Sequence, residues 1–103
     1  MQIEIRSIDF TAKPELVAFL TEKVNGLSHF NDRIIAADVH FKLEKSSDGE
    51  NKICEIKLIV PGNDLFAERH SSTFEEAIVE VIEALQKQLR KEKTKEQNRQ
   101  QGK

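Results

Sequence analysis

The sequence predicts a single α+β domain of order β-α-β-β-β-α, with a four-stranded mixed sheet and two helices on one face. Three observations predict it. Several short stretches alternate apolar and polar residues, two longer stretches repeat apolar residues at helical spacing, and turn signals separate them.

In MQIEIRSI, Ile3, Ile5 and Ser7 alternate with Gln2, Glu4 and Arg6, the period of a strand with one buried face. Leu16, Val17, Leu20, Val24 and Leu27 then recur at helical spacing. Pro14 suits a first turn, where its missing N–H costs nothing, and Gly26 stands near the end, so a helix is expected from about Pro14 to Leu27. HFNDR connects it to a second strand, IIAADVHFKLEK, with Ile35, Ala37, Val39, Phe41 and Leu43 on one side. Asp38, His40, Lys42 and Glu44 take the other side. SSDGEN contains an Asp-Gly hairpin step. KICEIKLIV is the third strand, with Cys54, Ile56, Leu58 and Val60 inward. Pro61 and Gly62 suit a type II turn, and LFAERH is a fourth, shorter strand.

Ser72 with Glu75 three residues later reads as a capping box. Behind it Phe74, Ile78, Val81, Ile82, Leu85 and Leu89 form one apolar stripe, and this helix is expected from Thr73 to about Lys93. Strands two to four, joined by tight turns, should pair antiparallel. The first should pair parallel with the second through a right-handed helical crossover. The helix-free sheet face, with His40, Lys42, Glu44, Glu55 and Lys57, should be wet. The domain is expected over 1–95, and 96–103 as a frayed or disordered polar tail.

A length of 103 residues suits one domain, and with no Trp or Tyr its core must rest on Ile, Leu, Val and six Phe. The single cysteine rules out an intramolecular disulfide and argues against a Cys-based metal site. No apolar run reaches membrane-spanning length, and Met1 opens into a strand pattern rather than a signal peptide, so a cytoplasmic protein with no membrane partner is expected. Gly-rich phosphate loops, zinc spacings and nucleophile elbows are missing. His29, His40 and His70 read as surface histidines, and Cys54 as a small buried hydrophobe. The expectation is a protein that is not an enzyme, with no cofactor, no metal and no small-molecule substrate.

Charge is unevenly placed. Residues 1–85 hold nine Lys/Arg and sixteen Asp/Glu, a net of −7; residues 86–103 hold seven and two, a net of +5. On the second helix Lys87, Arg90 and Lys91 fall opposite the apolar stripe, and Glu76, Glu80 and Glu83 precede them on that face. Acids first and bases last complement the helix macrodipole, at about 0.3–1 kcal/mol each, and Glu83 with Lys87 is a favourable i,i+4 pair. That structural account does not cover the positive excess reaching Arg99 and Lys103. Nor does it cover Lys23 at the edge of the first helix's apolar stripe, where a lysine must snorkel.

FNDRI, FKLEK, SSTFEEAI and LQKQLRKEK, in this order, resemble the ribosome hibernation promoting factor family, also called ribosome-associated inhibitors or sigma-factor modulation proteins. The resemblance runs from about Met1 to Lys95 and looks like the short form, without a C-terminal dimerisation domain. It implies a double-stranded-RNA-binding-domain-like fold and docking on the small ribosomal subunit at the decoding centre, where the protein blocks mRNA and tRNA sites and silences the ribosome in stationary phase or under stress. Its partners would be rRNA and ribosomal proteins, with a second hibernation factor as a further candidate. Carried over position by position, the implied rRNA-binding residues are Lys23, Arg33, Lys42, Lys45, Lys87, Lys91, Lys93 and Lys95. Arg90 is an additional base where some members carry a neutral residue. The chain departs from the family at Ser72-Thr73-Phe74, where members often carry Asp-Met-Tyr.

The alternative is a protein-interaction module of the same fold that ignores rRNA. It would dock through the wet sheet face or the acidic half of the second helix. A weaker alternative is a duplex-RNA binder, for which no loop offers a clear basic cluster.

Overall fold

A computed structural model describes residues 1–8, 10–45, 49 and 51–101, with side chains as far as Glu92. The elements are β1 (Gln2–Ile8), α1 (Pro14–Gly26), a 3-10 turn (Leu27–His29), β2 (Ala36–Leu43), β3 (Lys52–Ile59), β4 (Leu65–Ser71) and α2 (Phe74–Gln101). The sheet order is β1-β2-β3-β4. β1 runs parallel to β2, and the other two pairs are antiparallel. The topology is therefore the expected one, because a crossover helix forces a parallel pair and short turns force antiparallel ones.

The core lies between the sheet and the helices. Ala37, Val39 and Phe41 of β2, Cys54, Ile56 and Leu58 of β3, and Leu65 and Ala67 of β4 form its floor. Leu16, Leu20 and Val24 of α1 close it from above, with Ala77, Ile78, Val81, Ile82, Leu85 and Leu89 of α2. Fully burying one large aliphatic or aromatic side chain contributes about 1.5–3 kcal/mol, so this seam dominates the fold. Gly62 has φ of 89°, and the Asn63 N–H donates to the Val60 carbonyl at 3.3 Å, as the expected type II turn requires. At the β2–β3 hairpin the Glu44 N–H donates to the Asn51 carbonyl at 3.0 Å. Most of the expected Asp-Gly loop there lies outside the described residues.

Four local expectations change. Ile35 is 57% exposed while Ile34 is buried, because the chain is not yet in regular β register just before β2. Ile53 is fully buried although its backbone parity puts it on the helix-free face. Its neighbours in the sheet, Lys42 and His70, have long side chains that can shield it, so that face is not uniformly wet. The cap of α2 sits one residue later than Ser72–Glu75. The Glu76 N–H donates to Thr73 Oγ1 at 3.1 Å, and the Ser72 hydroxyl donates to the Glu76 carboxylate at 3.1 Å. Thr73 is the residue at which the strand-to-helix turn leaves an oxygen facing the orphan N–H groups. Finally, α2 continues past Lys93 to Gln101, since Lys, Glu, Gln and Arg have high helix propensity without an apolar stripe. The side chains beyond Glu92, and residues 102–103 of the tail expected to be frayed or disordered, lie outside the described residues.

Phe74 locks the start of α2. Its ring stacks on Phe10 at 4.9 Å between centroids and meets Phe41 edge-on at 5.3 Å, both favourable aromatic geometries. Cys54 is fully buried beneath the helices, and burial pushes its thiol up to about 12 from 9.0.

Two outcomes are expected. Thr73→Ala should lower stability by about 1 kcal/mol in urea unfolding, and Ser72→Ala by clearly less; equal losses would put the cap back at Ser72. Native Cys54 should resist a thiol reagent at pH 8 and react once unfolded. Because its folded pKa lies above the unfolded one, stability is unaffected below pH 9 and falls between about pH 9 and 12 as unfolding releases a proton.

Candidate functional site

The bases implied by the resemblance fall into two groups at opposite ends of the sheet. α1 ends in Lys23 and Gly26, passes through the 3-10 turn, and reaches Phe30 and Arg33 before β2 begins. The C-terminal half of α2 returns to the same end. Gln88 Nε2 donates to the Phe66 carbonyl at the start of β4 at 2.9 Å, and the Arg90 guanidinium lies 5.2 Å from the Phe30 ring centroid. A groove here is lined by Phe30, Asn31, Arg33, Pro61, Leu89 and Glu92, among others. Lys23, Arg33, Lys87, Arg90 and Lys91 thus stand, exposed, on elements that meet at this end.

Two aromatic rings position bases in this group. Lys23 Nζ lies 5.5 Å from the Phe19 ring centroid, so the lysine snorkels over the edge of the α1 stripe as its spacing predicts. Arg90 uses Phe30 in the same way. The Asn31 carboxamide oxygen accepts the Arg33 N–H at 2.8 Å, which shapes the turn that presents Arg33. Asp32 and Glu92 line the groove too, so its field is mixed rather than uniformly positive.

Lys42 and Lys45 stand at the other end. The eight residues of β2 span roughly 25 Å at about 3.3 Å each, and Arg33 and Lys45 flank them. Lys45 is exposed beyond the strand. Lys42 lies on the helix-free face, where its Nζ meets the Glu55 carboxylate at 2.7 Å. The hydrogen bond and charge of Glu55 raise the Lys42 pKa. The same carboxylate sits 3.8 Å from His40 Nδ1. Lys42 is therefore already paired within the sheet, while Lys93 and Lys95 lie outside the described side chains.

The acids earlier on α2 are also engaged locally. Glu80 accepts the Ser71 hydroxyl at 2.9 Å and Glu76 that of Ser72. Among the described residues, no group of three His, Cys, Asp or Glu is arranged to hold a metal, and no helix is long and apolar enough to cross a membrane. The sequence reading missed Phe30 as the seat of Arg90. Its only signal is an aromatic residue in the connection ahead of Asn-Asp-Arg, and helical or strand periodicity cannot weigh a residue that belongs to neither.

Comparison with known proteins places the chain in a family. The chain is 30% identical over 96 residues to a ribosome hibernation promotion factor from Deinococcus radiodurans. The match takes in 91% of this chain but 49% of that protein, so the chain spans about half the length of its relative. A ribosomal subunit interface protein from Coxiella burnetii superposes with a TM-score of 0.83 at 21% identity, over 91% of this chain and 99% of that one. The N-terminal domain of Thermus thermophilus Protein Y gives 0.76 at 18%, over 88% and 98%. At such identities the two structures establish the fold. The model of the Sigma 54 modulation protein / S30EA ribosomal protein family matches residues 3–97, nearly the whole chain. The chain therefore belongs to the Sigma 54 modulation protein / S30EA ribosomal protein family.

Proposed function

We propose that the protein is a stoichiometric, non-catalytic ribosome hibernation factor that binds the small subunit at the decoding centre and blocks the mRNA and tRNA sites. The observation that carries this reading is the grouping of Lys23, Arg33, Lys87, Arg90 and Lys91 on elements that meet at one end of the helical layer. Phosphate contacts from such bases supply position and much of the affinity without reading bases. An acidic body is compatible with this, because only the contacting surface must be positive. The acids can then face solvent or basic ribosomal proteins. Membership of the family and the Deinococcus relative support the same reading.

Lys42 and Lys45, at the hairpin end, form a second and weaker contact set in this proposal. Lys42 must leave or share Glu55 to reach a phosphate, which lowers its net contribution. Lys93 and Lys95 extend the α2 set.

Co-sedimentation with purified small subunits tests the proposal. Lys87→Glu, Arg90→Glu and Lys91→Glu together should abolish binding while circular dichroism stays native. Lys42→Glu should weaken it only a few-fold. Five phosphate contacts predict a log–log salt slope of about −3.5 to −4.5, from 0.7 to 0.9 per phosphate. Unchanged binding by the triple variant would reject the α2 end as the grip. Loss of binding on neutralising Glu76, Glu80 and Glu83 instead would favour a protein-docking role. Phe30→Leu keeps an apolar filler but removes the ring, and should weaken binding about three- to tenfold through Arg90 alone.

A further inference from the structure

The two edges of the sheet are treated differently. On β4 the carbonyls of Phe66 and Glu68, two residues apart, both face outward. Gln88 Nε2 donates to the first at 2.9 Å and the Arg69 guanidinium to the second at 2.7 Å. Side-chain capping of this kind blocks pairing with another strand. On β1 the Gln2 N–H donates to the Ile35 carbonyl at 3.0 Å, so Gln2, Glu4, Arg6 and Ile8 turn their backbone groups towards β2. Ile3, Ile5 and Ser7 therefore turn theirs to the open edge, and no side chain among the described residues caps them. Their side chains are only half-buried on the helix-covered face.

The β1 sequence is complementary to itself when reversed. Laid antiparallel against a second copy with Ile5 opposite Ile5, Ile3 faces Ser7 and Glu4 faces Arg6. The residues with edge-facing backbone groups are then those that meet as hydrogen-bonded pairs: Ile3 with Ser7, Ile5 with Ile5, Ser7 with Ile3. Two bonds for each makes about six across the twofold axis. Glu4 and Arg6 fall at the closer, non-hydrogen-bonded positions, where opposite charges attract most strongly across strands. In the single chain these two groups are 64% and 67% exposed and only 3.7 Å apart, so they are free to exchange partners. A one-residue shift would set the edge-facing groups against groups turned the other way. A two-residue shift would lose the charge match.

We propose that β1 is a self-association edge, through which two copies pair antiparallel about Ile5 to form a continuous eight-stranded sheet. The partner is a second copy of this chain because both the backbone pattern and the charge pattern of β1 are their own complements. The contact is small, below the size of standard stable interfaces, so the dimer is transient and concentration-dependent. It uses none of the bases of the proposed ribosome grip.

Sedimentation equilibrium of the isolated full chain, from about 10 µM to about 1 mM, should show a monomer–dimer equilibrium. Arg6→Glu, which sets like charges opposite each other twice, should weaken it about tenfold or more. Glu4→Arg with Arg6→Glu together should restore it to within about threefold. In the unmodified protein, amide exchange at Ile3, Ile5 and Ser7 should slow with rising concentration while that at Glu4 and Arg6 stays constant. A monomer up to 1 mM overturns the proposal, as does a dimer insensitive to Arg6→Glu or one with concentration-independent exchange at Ile5. Ribosome binding is not measured in any arm, so either result leaves the functional proposal to its own test.

Discussion

The apolar seam between α2 and the inner face of the sheet is the constraint on which the rest of the molecule depends. Ala77, Ile78, Val81, Ile82, Leu85 and Leu89 all lie against it, every one of them buried. Each residue turns the helix by 100°, so rotating α2 by one position would drive a charged side chain into the core. The seam therefore sets which side chains face out, and in doing so it presents Lys87, Arg90 and Lys91. Both ends of the seam are pinned. At the start, Thr73 caps the helix and Phe74 is held by two other rings. Towards the far end, Gln88 bonds a β4 carbonyl and Arg90 rests over Phe30. The axial position of the bases follows from those anchors.

Several polar groups on the rest of the surface are used within the fold. Glu55 serves both His40 and Lys42, Lys57 reaches Asp64 at 3.7 Å, and Glu76 and Glu80 of α2 accept the hydroxyls of Ser72 and Ser71. Exposed pairs such as Lys57 with Asp64 contribute little to stability, at about 0–1 kcal/mol. Their effect is on the field: they neutralise the helix-free face locally. What remains unevenly charged is the end where α1, the Phe30–Arg33 connection and α2 meet. A chain with net charge −2 can in this way gather several bases at one end, because charge acts by position rather than by total.

Much of the fold was legible because it depends on period and punctuation. Strand alternation, the α2 stripe, the Pro61–Gly62 turn and the order of elements all came through. The misreadings fall where periodicity has no authority. Ile34 and Ile35 stand ahead of a strand, where the direction of a side chain depends on how the chain enters the sheet. Ser72 and Thr73 are adjacent potential caps, each with a glutamate three residues on, and only the path out of β4 chooses between them. Ile53 obeys its alternation and is buried nonetheless, because burial on that face depends on the reach of neighbouring side chains.

By itself the sequence determined the topology, most of the inward set of the core, the amphipathic register of α2 and the family resemblance. These rest on local spacing, which one chain displays without reference to any other part of itself. Tertiary structure alone decided which bases come to the same end of the sheet. Lys23, Arg33 and the α2 bases come from segments far apart in the chain, and Lys42 and Lys45 carry the same charge and the same resemblance. Strand length separates the second group from the first by roughly 25 Å, and Glu55 occupies Lys42. The contrast between the capped β4 edge and the open β1 edge is likewise a property of packing, since Gln88 reaches Phe66 only because α2 folds back along the strand that precedes it.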